Sequence, residues 1–142
     1  YKLLSDMGKN KTSYTQKKLK KGTYYKYVVA AYKVVDGKKV TIAVSKTIHA
    51  ATTGGKYGVA KSVKVNKSKV TLKKGKKFTI KAKEIKQNKT IKHHRAIAYE
   101  SSNTKVATVS KKGVVKAKGK GTCYIYVYAQ NGVYKKVKVT VK

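Results

Sequence analysis

Few side chains of this sequence are suited to catalysis, and their spacing does not predict a catalytic site. Its carboxylates number four, on Asp6, Asp36, Glu84 and Glu100. Asp36 is explained by a turn, and the others are not spaced as the acid/base pair of a hydrolase. Serines are plentiful, but no nucleophile motif surrounds any of them. We therefore expect a protein without catalytic residues and without a cofactor.

The adjacent histidines and the cysteine are also expected to have no metal-binding or catalytic role. His93 and His94 are adjacent, and neighbouring residues of a strand point to opposite faces, so their imidazoles are poorly placed to share a metal ion. We interpret His93-His94-Arg95 as a solvated basic loop that gains charge below about pH 6.5. Cys123 alternates with apolar residues, which favours a small buried hydrophobe over a reactive thiol.

Charge is the dominant feature of the composition. There are 37 Lys+Arg against four acidic residues, a net charge of +33, and Arg95 is the one arginine. Such a field attracts polyanions. Specific reading of nucleic acid bases favours arginine forks, which this chain lacks, so we expect no specific nucleic acid partner. Lysine is a hydrated point charge suited to diffuse attraction, and our hypothesis for the partner is an acidic polysaccharide or cell-wall polymer.

Period-two alternation runs through the chain and predicts an all-β fold. Residues 24–32, 39–44, 77–82 and 122–129 alternate Val, Ile, Thr or Tyr with small or charged residues, between turns rich in Gly and Asn. Strands this numerous indicate a sandwich or barrel. The longest uncharged apolar run, 27–32, is too short to span a bilayer. The chain opens YKLLSD without a methionine, which favours a segment of a longer protein.

The first hairpin is predicted from Asp36-Gly37. This pair is typical of a two-residue type I′ turn. The resulting register pairs Ala31 with Ile42, and Val29 with the next apolar residue of the same face, Val44.

The last hairpin requires a loop of odd length. A two-residue Asn131-Gly132 loop would set Val127 against Lys136. Adding one residue pairs Val127 with Val137, so we predict a loop of three or five residues with a glycine bulge at Gly132.

The same register places a set of tyrosines and lysines on the outer, solvent side of this hairpin. We call it the Tyr-Lys face; its members are Tyr124, Tyr126, Tyr128, Lys136 and Lys138. In this register Tyr128 lies opposite Lys136, and Tyr126 lies opposite Lys138. Two interpretations remain open. Tyrosine forms strands well and lysine keeps an edge from aggregating, so the face could bind nothing. Alternatively, flat aromatics with cations bind a sugar or an acidic polymer.

A boundary falls in the glycine-rich stretch ATTGGKYG, residues 51–58. We predict a first module over residues 1–54, a linker over 55–59 and a second module over 60–142. The first module is short for a sandwich with its own core.

The second module resembles the bacterial immunoglobulin-like domains of group 2. The resemblance rests on SVKVNKSKVTLKKGKKFTIKA and on YESSNTKVATVSKKGVVKAKGKGTCYIYVYAQNGVYKKVKVTV. Two features depart from that family: Tyr99 replaces the usual Trp before Ser-Ser-Asn, and the insert 86–95 is unusually basic.

The first module resembles the C-terminal half of a fibronectin type III domain. The residues that carry this resemblance are Tyr14, Leu19, Gly22, Tyr25, Tyr27, Val29, Ala31 and the exit Ala51-Thr52-Thr53. The resemblance implies that the Tyr25 hydroxyl bonds back to nearby backbone, as in a tyrosine corner. The first strands of such a domain are absent, so upstream residues or a second chain would complete the sandwich. Together the resemblances imply tandem immunoglobulin-like β-sandwiches, the first one incomplete.

Domains of these two families typically belong to long extracellular bacterial proteins. The resemblance therefore implies a secreted or cell-wall-associated location and a non-catalytic function as a spacer or adhesion module, held electrostatically on acidic polymers. The alternatives are a specific carbohydrate-binding module that uses the Tyr-Lys face, and a C-terminal appendage of a cell-surface hydrolase.

Overall fold

The structure, a computed structural model, describes residues 2–142; Tyr1, the first residue of the predicted first module, lies outside the described residues. Within that range the chain contains strands and no helix, which confirms the all-β prediction. No helix of the described chain is therefore available to cross a membrane. The thirteen strands are β1 (Tyr24–Tyr27), β2 (Ala30–Val35), β3 (Lys38–Val44), β4 (Ile48–Ala51), β5 (Ala60–Val65), β6 (Lys69–Leu72), β7 (Lys77–Thr79), β8 (Ala82–Lys86), β9 (Ala98–Ser101), β10 (Ala107–Val109), β11 (Val114–Ala117), β12 (Gly121–Tyr128) and β13 (Tyr134–Val141).

The second module is a β-sandwich. Its larger sheet has the order β6-β13-β12-β9, with β13 and β6 parallel. The remaining strands form a three-stranded sheet, β10-β11-β7, and the pair β5-β8. One apolar cluster joins inward residues of β12 and β13, such as Ile125 and Val139, to Val115 of β11 and Val63 of β5. The sheets therefore pack face to face over a single core, as the alternation of apolar residues requires.

The last hairpin has an odd loop, but its register differs from the prediction by two residues. Tyr128 pairs with Tyr134, and Ile125 with Val137. The Ala129 N–H donates to the Val133 carbonyl at 2.8 Å, which leaves three loop residues, 130–132. Gly132 has φ +98°, a left-handed conformation that glycine adopts without strain. Because the turn needs this conformation at its third residue, the loop begins one residue earlier than predicted. Every cross-strand partner therefore moves by two, which keeps the same side chains on the inward face. Ile125 stays opposite a valine, whereas Val127 lies opposite Lys135 at the end of the pair.

The first hairpin has the predicted two-residue turn. Asp36 and Gly37 have φ of 50° and 74°, and Val35 pairs with Lys38. A bulge between Ala31 and Tyr32 then shifts the register by one. The predicted pairing of Ala31 with Ile42 is therefore wrong, since Ala31 pairs with Ala43. The predicted partner of Val29 is wrong as well: the Val29 carbonyl accepts from the Ser45 N–H at 2.8 Å, and Val44 pairs with Ala30.

The first module contributes no residue to the buried apolar cluster. Its strands form two pairs, β1-β4 and β2-β3, and every residue of β2 and β3 is exposed. Val29 and Ile42 are 56% and 61% exposed, so this apolar face has no covering sheet within the described residues. The Tyr25 hydroxyl accepts a hydrogen bond from the Lys20 N–H at 3.0 Å.

Candidate functional site

The outer face of β12 and β13 carries the residues of the Tyr-Lys face. Tyr124 and Tyr126 point to the same side, since alternate residues of a strand share a face. The observed register sets Tyr124 opposite Lys138 and Tyr126 opposite Lys136. Tyr128 lies opposite Tyr134, so the predicted partners of Tyr126 and Tyr128 are wrong although the face they share is as expected.

One end of this face is covered by the first module, contrary to the expectation of a solvent-exposed surface. Tyr128 is 2% exposed and packs on His49 of β4, with ring centroids 4.3 Å apart. His49 is 6% exposed, and its Nδ1 lies 3.2 Å from Oε1 of Gln130. We call this contact between residues 46–49 and the larger sheet the junction.

Lys46 and Thr47 complete the junction. Lys46 Nζ lies 4.1 Å from the ring centroid of Tyr134 and 5.2 Å from that of Tyr126. It also donates a hydrogen bond to the Tyr134 hydroxyl at 3.0 Å, and this bond lowers the pKa of Tyr134. The Thr47 backbone N–H donates to both carboxylate oxygens of Glu100 at 3.2 Å. The Lys46 ammonium group therefore holds the loop before β4 against the two tyrosine rings, and the Glu100 carboxylate holds it against β9.

Gly132 permits the close approach of the two modules. A Cβ at this position would clash with the carbonyl oxygen of His49, so only glycine fits there. Burial lowers the pKa of His49 and raises the pKa of Tyr128, so the neutral forms of both rings are favoured. The Tyr128 hydroxyl has no hydrogen-bond partner within residues 2–142.

The other end of the Tyr-Lys face is open. Tyr124 is 39% exposed, and Lys136 Nζ lies 5.3 Å from its ring centroid. Lys138 lies beside Tyr124 in the sheet, and Lys69 of β6 lies beside Lys138. At this end, the surface available to a ligand is one half-exposed tyrosine with three lysines around it.

A second contact between the modules involves the linker itself. Tyr24 of β1 packs edge-on against Tyr57, with ring centroids 6.0 Å apart. The guanidinium of Arg95 lies 5.0 Å and 5.1 Å from the two ring centroids. The Tyr24 hydroxyl donates to the Gly58 carbonyl at 3.3 Å. Arg95 is exposed, as expected of a solvated loop, but it also contacts an aromatic cluster that sequence reasoning did not predict.

The basic insert also packs against the linker through His94. The Nδ1 of His94 forms an ion-pair contact with Glu84, and its Nε2 lies 3.2 Å from the Ile91 carbonyl. A Cβ on Gly58 would clash with this ring, and the Gly58 N–H donates to the His93 carbonyl at 2.9 Å. The solvated-loop interpretation is therefore wrong for His94, whereas the side chains of His93 and Arg95 are exposed.

The remaining candidates for chemistry are separated or buried. Asp6 contacts Lys39 and accepts a hydrogen bond from the Tyr32 hydroxyl at 2.8 Å; the bond from Lys39 lowers the pKa of Asp6. Across residues 2–142 no three His, Cys, Asp or Glu side chains are grouped where they could hold a metal ion. Cys123 is 2% exposed, as predicted, and burial raises the pKa of its thiol.

Sheets packed over one core, with antiparallel hairpins between them, define the second module as an immunoglobulin-like β-sandwich. Residues 59–141 match the family of bacterial Ig-like domains, group 2. The match spans more than half of the chain, which therefore belongs to this family.

Similar proteins include an enzyme and a surface-layer protein. The chain is 41% identical over 70 residues to a kappa-carrageenase of Pseudoalteromonas carrageenovora, a match that covers 49% of this chain and 17% of that protein. Domains 4 and 5 of the S-layer protein SbsC are 21% identical with a TM-score of 0.50, over 83% of this chain and 75% of that structure. A longer SbsC structure is 23% identical with a TM-score of 0.51, over 84% of this chain and 20% of that one. At these identities the likeness to SbsC shows the fold alone.

Sequence reasoning missed the junction residues Lys46, Thr47, His49 and Glu100. Alternation assigns a side chain to a face of its own sheet, but it does not show which other element covers that face. The one available signal was His49 itself, a lone polar residue between Ile48 and Ala50.

Proposed function

We propose that this chain is a non-catalytic module of a bacterial cell-surface or secreted protein, which spaces or attaches that protein by electrostatic attraction to acidic cell-wall or glycan polymers. The observation that carries the proposal is uncompensated charge. Three of the four carboxylates already have partners inside the protein: Asp6 with Lys39, Glu84 with His94 and Glu100 with the Thr47 N–H. Nearly all of the lysines are therefore left to attract external anions.

The type of basic residue favours diffuse attraction over specific reading of a nucleic acid. Lysine is a compact, hydrated charge, whereas base recognition uses planar arginine forks. The single arginine, Arg95, is engaged by Tyr24 and Tyr57. The expected partner is therefore a polymer recognised by its charge density.

An extracellular location is supported by the similar proteins. The family is bacterial and immunoglobulin-like, one neighbour is a surface-layer protein, and one relative is a kappa-carrageenase. Because the chain matches only 17% of that enzyme, we assign it no catalytic function, and an appendage of a surface hydrolase is the alternative that this relative favours.

For the first module we propose the C-terminal part of a fibronectin type III domain, over residues 1–54, followed by a linker over 55–59. The bond from the Lys20 N–H to the Tyr25 hydroxyl supports this assignment, because it is the contact of a tyrosine corner. The exposed apolar faces of β2 and β3 support completion by upstream residues or by a second chain.

A specific sugar site on the Tyr-Lys face is the second candidate function, and Tyr124 is the residue that supports it. Tyr128 is buried in the junction, and Lys46 contacts Tyr126. Tyr124, with Lys136 beside its ring, is the aromatic platform that stays open to a sugar.

Co-sedimentation with purified Gram-positive cell walls, intact or stripped of teichoic acid, tests the proposal. We expect binding that requires the teichoic acid and is lost as salt rises to about 0.5 M, where the screening length falls to a few ångström. Binding that persists at that salt concentration would contradict electrostatic attachment. If Tyr124→Ala abolishes the salt-resistant binding, the sugar site replaces our proposal.

A further inference from the structure

Strand β6 leaves part of β13 without a neighbour, and a lysine-lined groove occupies that space. β6 pairs with β13 only from Lys69 and Lys138 onward, so no strand of the described chain pairs with residues 134–137 on this side. The turn from β5 to β6 crosses the gap. The resulting groove, which we call the edge groove, has a volume of about 530 Å³ and is lined chiefly by Lys64, Asn66, Lys67, Ser68, Lys69 and Lys135.

A backbone donor also points to this side of β13. The Lys138 N–H points away from β12 and donates to the Ser68 carbonyl at 2.8 Å. N–H groups alternate in direction along a strand, and the pairing of β12 with β13 is continuous from Lys136 to Lys138. The Lys136 N–H therefore points to the same side, at a position that β6 does not reach.

The wall of the groove is held in place by one asparagine. Asn66 donates from Nδ2 to the Thr79 carbonyl at 3.2 Å and accepts the Lys81 N–H on Oδ1 at 3.0 Å. Its own backbone N–H donates to the Lys81 carbonyl at 3.0 Å. The turn is thus tied to the strands behind it, and a ligand would meet a preformed wall, which reduces the entropy lost on binding.

The charge of the groove is not neutralised from within. Its lysines, Lys64, Lys67, Lys69 and Lys135, are all exposed, and none of the chain's four carboxylates lines the groove. The two ion pairs of the described chain, Lys39–Asp6 and His94–Glu84, lie elsewhere. Four like charges around one space repel each other, and a bound anion would remove that repulsion.

We propose that the edge groove binds the sulfate or phosphate ester groups of an acidic polymer, as a defined subsite within the diffuse attraction of the surface. The inference rests on the proposed function and gives it a location. A tetrahedral oxyanion accepts hydrogen bonds from several ammonium groups and from a backbone N–H at once.

Two charge-matched variants of the whole chain test the subsite. The groove variant is Lys64→Gln, Lys67→Gln, Lys69→Gln, Lys135→Gln. The control changes four exposed lysines that do not line the groove, Lys111, Lys112, Lys118 and Lys120, to Gln. Both lose four charges, so diffuse attraction falls equally in both. Binding is measured as a function of salt with kappa-carrageenan, which carries sulfate esters, and with teichoic acid, which carries phosphodiesters.

We expect the groove variant to bind at least one polymer about tenfold more weakly than the control does. The slope of log affinity against log salt should also fall by about one for each lost contact. The polymer that shows this difference identifies the ester recognised. Equal loss in both variants on both polymers would overturn the edge groove while leaving the proposed function intact. Failure of the unaltered chain to bind either polymer would overturn both. Thermal unfolding of each variant checks that the sandwich is unchanged.

Discussion

Removing the hydroxyl of Tyr128 is expected to stabilise the protein. This hydroxyl lies in the junction on a side chain that is 2% exposed, and nothing within the described chain bonds to it. The same desolvation disfavours the charged phenolate and therefore raises the pKa of Tyr128. A buried polar group without a partner costs about 1–3 kcal/mol relative to a satisfied one.

The Tyr128→Phe substitution removes that cost and keeps the ring against His49. The vacated oxygen leaves a small void, which costs a few tenths of a kcal/mol at about 24 cal/mol per Å³. The net gain in the free energy of unfolding is about 1–2 kcal/mol. With a urea slope of roughly 2 kcal/mol per molar, the midpoint should rise by about 0.5–1 M.

The assay is equilibrium urea unfolding of the two proteins, with Tyr126→Phe as the matched control. Tyr126 is only half-buried, and substitutions near the surface usually change stability by less than about 0.5 kcal/mol. A Tyr128→Phe midpoint that falls by 0.5 M or more at unchanged slope (about 1 kcal/mol) would refute the reasoning, because it would show that the hydroxyl makes a favourable bond. Tyr128→Ala separates the ring from the hydroxyl and should cost about 3–5 kcal/mol.

Two further predictions concern the same contact. Burial lowers the pKa of His49 in the folded protein. As pH falls below about 6.5, the unfolded chain therefore takes up a proton on His49 before the folded protein does. The contribution of neutral His49 to the free energy of unfolding is complete above this pH and should decline until pH passes the folded pKa. His49→Phe should remove this part of the pH dependence in urea unfolding between pH 7 and 5, and an unchanged profile would contradict the assignment. Gly132→Ala combines a left-handed backbone with a clash against the His49 carbonyl, so it should cost about 1–3 kcal/mol from strain alone and expose residues 46–51 to hydrogen exchange. Gly37→Ala has the same backbone strain with no atom within 4 Å of the added Cβ, so in this control the exchange of 46–51 should stay slow.

The fold was predictable because the alternation of inward and outward side chains along a strand is visible in the sequence. The period-two alternation assigned Ile125 and Val139 to one face. Because that face is buried, the alternation also fixes which side chains point into the core. The odd loop followed from the same parity. Its position did not, because a shift of two residues keeps the same side chains on the inward face. What sets it is the left-handed conformation of Gly132, a property of the backbone that alternation does not carry.

The candidate site was less predictable, because it depends on which surfaces meet. The alternation correctly put Tyr128 on the outer side of the sheet, yet that side is covered by His49. The insert had no alternation to interpret, and Arg95 was placed by two tyrosines from other parts of the chain. Contacts between elements far apart in sequence leave no periodic signal, so only the structure could distinguish an open aromatic face from a covered one.

The junction bears directly on how the lysines would act. It is one of two contacts between the modules: His49 packs on Tyr128 there, and elsewhere Arg95 packs against Tyr24 and Tyr57. A chain held at two separate points resists bending about either one, so the two modules present their charges at a fixed spacing. Attraction to a polymer gains from such an arrangement, because once one group is bound the next acts at a high effective concentration without further ordering. The tyrosines that the sequence suggested for sugar binding would then contribute indirectly, by fixing the position of the charged surfaces relative to each other.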